Sequence, residues 1–156
     1  MINVDASYDA AVGVGSTGAV IRDAAGGFIA AAHSYIPHVV DAAMAEVFAL
    51  RDGLLLAQEI GCNWVEIQAD CMEVVTTMNE GAFSATTAAP IYDECCQHWM
   101  DFAAISISHC NRDCNLVAHE LARQALLDKS SFVWVDDRPN SILQLIVNDV
   151  TILSNQ

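Results

Sequence analysis

The chain has 156 residues, 54% of them hydrophobic and 17% charged, which suits one domain with a substantial core and excludes a disordered chain. Six Lys and Arg stand against 20 Asp and Glu, a formal net charge of −14, so the molecule repels polyanions at long range and lacks the basic footprint of a typical nucleic-acid binder. No apolar run is long enough to span a bilayer, and no basic-then-apolar leader precedes the first structured segment. The six cysteines include no C-x-x-C pair, and nothing else in the chain looks secreted. Free thiols in a reducing intracellular compartment, nucleus or cytoplasm, are therefore expected. His109, Cys110, Cys114 and His119 lie close in sequence, but their spacing fits no common zinc module.

The chain opens almost at once on a strand, as an excised domain would. In Ile2-Asn3-Val4-Asp5-Ala6-Ser7-Tyr8 the apolar residues alternate with polar ones, placing Asp5 midway along the strand. Gly13-Val14-Gly15-Ser16-Thr17-Gly18 spells G-x-G-x-x-G, but a strand, Ala19 to Asp23, follows it where a dinucleotide motif needs a helix. The glycines instead suit close strand packing or backbone approach. Gly26-Gly27 reads as a hairpin turn into a third strand, Phe28 to Ile36, completing an antiparallel meander. Asp41 is a suitable N-cap for a helix reaching about Ile60, with Gly61 as its stop. Ala45, Ala49, Gly53 and Ala57 make a small-residue stripe on which this helix can lie close to a sheet, with Glu46 beside the stripe.

Asn63 to Asp70 alternates as a fourth strand, expected to run parallel to the first through a right-handed crossover. Asp70 ends it and is placed to cap a helix from Cys71 to about Asn79. Gly81 to Ala89 forms a loop without Lys or Arg. A helix over about 91–103, a fifth strand from Ile105 to His109 and a helix from Leu116 to about Leu127 follow. The tail holds a short apolar segment, Phe132 to Val135, a turn at Pro139 and a final helix around Ile142 to Val147. No linker or repeat interrupts the chain, so it reads as one α/β domain, with a core of about 1–128 and an extension over 129–156. Its five-stranded mixed sheet, three antiparallel strands and then parallel ones, is flanked by helices. This topology can bring Asp5, Glu46 and Asp70 to one sheet edge. Clustered carboxylates repel unless divalent cations hold them, and oxygen-only ligands favour Mg²⁺ or Mn²⁺.

This ordered set resembles the ribonuclease H-like fold. More narrowly, it resembles the plant retroelement-derived ribonuclease H-type domain related to the one that follows reverse transcriptases. The segments that carry the resemblance are Ile2 to Ser7, Gly18 to Asp23 with the Gly26-Gly27 turn, Ala45 to Leu54, and Val65 to Asp70. Arg112-Asp113-Cys114-Asn115-Leu116-Val117-Ala118-His119-Glu120-Leu121-Ala122 and the Trp134…Pro139…Asp149 tail complete it. The resemblance implies that Asp5, Glu46 and Asp70 hold two Mg²⁺ (or Mn²⁺) ions. It also implies that the domain cuts the RNA strand of an RNA–DNA hybrid, leaving 5′-phosphate and 3′-hydroxyl ends. His119 stands where many active relatives have an Asp, a substitution common in the plant retroelement-like group, and could sit near the metal or shuttle a proton. His109 matches a flexible His of bacterial relatives, although a structural role is preferred here. Ser7, Arg112 and Asn115 are candidate substrate contacts, with Arg112 and Asn115 also suited to bracing the loop before the last core helix. The acidic surface and the cation-free loop at Gly81 to Ala89 support an alternative, a catalytically weak module whose partner is a protein within a larger chain.

Overall fold

The structure, a computed structural model, describes residues 1–154, with side chains described through residue 148. The side chain of Asp149 and residues 155–156 lie outside it. Strand β1 (Ile2–Asp9) pairs antiparallel with β2 (Val14–Arg22), and β2 pairs with β3 (Phe28–Ile36). The β2–β3 turn is stabilised by Asp23, whose carboxylate accepts from the Ala25 and Gly27 amides, and by Gly26 at φ 83°. The meander therefore forms as expected, with β2 starting earlier and taking in Gly15 and Gly18.

Helix α1 (Ala42–Glu59) begins where the Asp41 carboxylate accepts from the Met44 amide at 2.7 Å, and the left-handed Gly61 (φ 76°) follows its end. Its small-residue stripe, Ala45, Ala49, Gly53 and Ala57, is buried. At Gly53 a Cβ would come within 2.6 Å of a Val4 methyl, so the side chain of β1 occupies the place a larger residue would need. Strand β4 (Trp64–Ala69) then adds parallel to β1, with Val4 opposite Ala69, as the crossover requires. Helices α2 (Met72–Glu80) and α3 (Ala89–Trp99) lead to β5 (Ala104–His109), parallel to β4.

Helix α4 (Leu116–Asp128) packs on the opposite sheet face from α1. It approaches β2 at Gly18, where a Cβ would run into the Ala118 carbonyl and the Ala122 amide. That near contact is the packing role expected of the glycines in place of nucleotide binding.

Two expectations change. The apolar segment Phe132–Val135 is a sixth strand, β6, antiparallel to β3, so the sheet order is β5-β4-β1-β2-β3-β6. Asp70 does not cap α2: the N-cap is Cys71, which makes no side-chain cap hydrogen bond. The chain takes one more extended residue after β4 before turning into the helix, so Asp70 projects beyond the strand end.

The main core lies between the sheet and α1 to α3, around Ile2, Val4, Leu50, Leu54 and Ile67. A second apolar cluster lies on the α4 face. There Ile142, from a short 3₁₀ turn (Asn140–Ile142), and Ile146, from α5 (Leu143–Ser154), join Val20, Ala31, Val117 and Leu121. The extension beyond residue 128 thus contributes both a strand and core residues.

Candidate active site

Asp5 is held in the middle of β1, 4% exposed, with Gly18 of β2 as its register partner. The neighbouring Val4–Ala69 pair of the parallel ladder sets Asp70 beside it. Glu46 comes in from the second turn of α1, because the small-residue stripe next to it lies on the sheet. One carboxylate oxygen from each of the three can be chosen so that all lie within 4.8 Å of one another. This is the one such group of potential metal ligands among the described residues.

Electrostatics at this spot are unfavourable without a cation. Burial, then the charges of Asp5 and Asp70, pushes the Glu46 carboxyl up to about 9, against a smaller opposing pull from Arg112. Burial, then Asp70, raises Asp5 to about 6, opposed by its hydrogen bond to His119. At neutral pH the cluster therefore retains a proton that a divalent ion would displace. The donors are hard carboxylate oxygens close enough to share an ion, and they fit Mg²⁺ or Mn²⁺.

Around this cluster the remaining candidates take distinct places. His119, in the first turn of α4, lies with Nδ1 2.8 Å from Asp5 Oδ2 and with its side chain 45% exposed. Because an ionised Asp5 can only accept, Nδ1 is assigned as the donor, which leaves the Nε2 lone pair free of that bond. Arg112 is 81% exposed and its Nε lies 3.6 Å from Asp70 Oδ2, so the cation leans on the acid cluster from its rim. Asn115 is buried, and its amide donates to the Val4 carbonyl at 2.8 Å. It thus ties the start of α4 to β1, one residue from Asp5. Ser7 is half-buried two residues farther along β1 and stands outside the acid cluster. His109 is exposed at the end of β5.

One supporting residue was missed from the sequence. Asn3 is fully buried on the same strand face as Asp5. Its amide nitrogen lies 3.4 Å from both the Gln68 side chain and the Cys114 carbonyl, and its oxygen accepts from Arg22 at 2.8 Å. It links β1, β4, β2 and the segment before α4. Its signal was present, since Asn3 is a polar residue between Ile2 and Val4, in phase with Asp5.

These features define a ribonuclease H-like α/β fold, and comparison with solved structures agrees. Ribonuclease H1 from the halophilic archaeon Halobacterium salinarum superposes with a TM-score of 0.75 at 24% identity, over 83% of this chain and 97% of that one. The N-terminal ribonuclease H domain of a Mycobacterium tuberculosis protein gives 0.74 at 21%, over 81% and 94%. LC11 ribonuclease H1, solved with an RNA/DNA hybrid, gives 0.72 at 24%, over 82% and 96%. The "Reverse transcriptase-like" family model matches residues 3–125, and the chain belongs to that family. No curated protein sequence matches the chain significantly.

Proposed function

We propose that this domain is a Mg²⁺- or Mn²⁺-dependent ribonuclease H-type nuclease that hydrolyses the RNA strand of RNA–DNA hybrids. The observation that carries the reading is the convergence of Asp5, Glu46 and Asp70, from three separate elements, on a point where their oxygens can share cations. Family membership and the hybrid-bound LC11 relative support it. With two ions bound by these acids, the site would gain a lowered pKa for the attacking water and neutralisation of charge at the leaving 3′-oxygen.

The chain's own residues have separable tasks. Asp5, Glu46 and Asp70 would hold the ions, and Asn115 and Asn3 fix the backbone that presents Asp5. His119 is oriented by Asp5 through Nδ1, so its Nε2 can take a proton from water or approach an ion in place of the usual fourth acid. Arg112, exposed at the rim of the acid cluster, is the cation nearest to where a substrate phosphate would lie. Ser7, farther out on β1, is positioned for a ribose hydroxyl, the group that distinguishes RNA from DNA. The His at 119 also supports placement in the plant retroelement-like branch.

The deciding experiment incubates the domain with a labelled RNA–DNA hybrid in Mg²⁺ and in Mn²⁺, beside an Asp70→Asn control. Cleavage giving 5′-phosphate ends and absent from the control is expected. No cleavage above the control in either metal would sink the enzyme reading. The net charge of −14 and the cation-free Gly81 to Ala89 loop favour a second reading, a catalytically weak module that binds a protein partner. Under that reading the hybrid is neither cut nor bound, and a partner is recovered equally by wild type and Asp70→Asn.

A further inference from the structure

The imidazole of His33 is a buried titratable group that the site chemistry does not use. It lies on β3, 6% exposed, facing α4 and β6. Its Nε2 is 3.2 Å from the Ser130 hydroxyl, in the link between α4 and β6. The Trp134 ring of β6 meets it edge-on, with centroids 4.9 Å apart and planes at 82°. Nδ1 is buried and makes no hydrogen bond. A neutral imidazole tolerates this setting, whereas an imidazolium at 6% exposure would be cut off from the water that solvates it elsewhere.

The surroundings offer little to offset that charge. Its β2 register partner is Gly18, and β6 presents Phe132 and Trp134, none of them ionisable. Helix α4 contributes the Leu121 backbone and the Asp128 carboxylate, both of which favour protonation, but burial outweighs them and lowers the imidazole below its ordinary value.

We propose that His33 is a pH-sensitive latch. When neutral it fastens the α4–β6 link and β6 to the sheet, and when protonated it releases the segment that starts at Lys129. Because the neutral form is the one the fold prefers, the latch weakens as pH falls through about 6.5, the ordinary imidazole value. Release frees β6 from β3 and loosens the hold on Ile142 and Ile146, while the β1–β2–β4 centre of the sheet stays paired.

Hydrogen exchange read by mass spectrometry tests this on the full chain at about pH 7.5 and about pH 5, corrected for intrinsic exchange. The wild type should exchange several-fold faster over residues 129–148 at the acid pH, with β1 and β2 unchanged. In His33→Gln, which keeps a polar side chain but cannot titrate, the acid effect should vanish. Acid opening of the same size in His33→Gln overturns the latch, as does no opening in the wild type or acceleration spread evenly over the chain. If His33→Gln does not fold, the ring of His33 is followed by NMR in the wild type. Ring titration that coincides with segment opening supports the latch, and titration with the segment still closed overturns it.

Discussion

If the substrate is a hybrid duplex, the salt dependence of binding should be unusually shallow. The structure limits how many cations can reach phosphates. Of the six Lys and Arg, Arg22 is buried, Arg51 is engaged by Asp52 and Glu94, and Arg123 is held by Glu120. Arg112, Lys129 and Arg138 remain exposed, with Arg112 leaning on Asp70. Three phosphate contacts give a slope of log affinity against log salt no steeper than about −2.7. Between about 50 and 200 mM salt that is at most a ~40-fold loss, against ~10³–10⁵-fold for a protein making about 6–10 contacts. Screening of the net charge of −14 works in the opposite direction, so affinity should be flat or rising at the lowest salt. Fluorescence anisotropy with a labelled hybrid, at fixed Mg²⁺ and with Asp70→Asn to prevent cleavage, measures the slope. Arg112→Ala should make it shallower by about 0.9. A measured slope steeper than about −3.5 would refute this cation inventory.

Glu46→Gln should stabilise the metal-free protein. The Glu46 carboxyl is raised to about 9 in the fold, so the folded state binds the extra proton and wild-type stability falls as pH rises from about 4.5 towards 9. Thermal melts across that range should show the fall in wild type and a smaller one in Glu46→Gln, with Mg²⁺ protecting only the wild type. Gly18→Ala should destabilise by about 1–3 kcal/mol or more, because the new methyl meets the Ala118 carbonyl and forces α4 off β2. Urea unfolding measures it, and a change below about 0.5 kcal/mol would contradict the packing. Truncation after Asp128 removes Trp134, Ile142 and Ile146 from the α4-face cluster, a loss of roughly 4.5–9 kcal/mol at about 1.5–3 kcal/mol per large apolar side chain. The truncated chain should melt far lower or lose cooperative unfolding, as followed by circular dichroism.

Much of the site was legible because local patterns positioned it. The alternation around Asp5, the small-residue stripe beside Glu46 and the strand ending at Asp70 each fixed one carboxylate, and the right-handed crossover rule joined β4 to β1. What was illegible depended on partners distant in the chain. Phe132–Val135 has only four residues and no turn signal towards β3, so nothing local distinguishes it from a buried loop. The Asp70 cap failed because one residue of backbone extension decides the capping position, and sequence chemistry favours Asp over Cys there. Asn115 reads from the sequence as a brace for its own loop, and only the approach of α4 to β1 makes the Val4 carbonyl its partner. The Asn3–Arg22 contact, likewise, becomes visible only once β1 and β2 are in register.

The parallel pairing of β1 with β4 has a consequence for how the molecule matures. Forty-one residues of sequence separate Asp5 from Glu46 and twenty-four more separate Glu46 from Asp70. The acids meet only after the crossover helix has docked and the non-local ladder has closed, one of the slower kinds of folding event. The antiparallel β1–β2–β3 meander can form earlier, yet it carries a single acid of the three. During synthesis, a nascent chain released before β4 would fold part of its sheet and possess no cation site. Under the proposed function, cation binding would report a docked α1 and a closed β1–β4 ladder, and a chain stalled before β4 would be inert towards Mg²⁺.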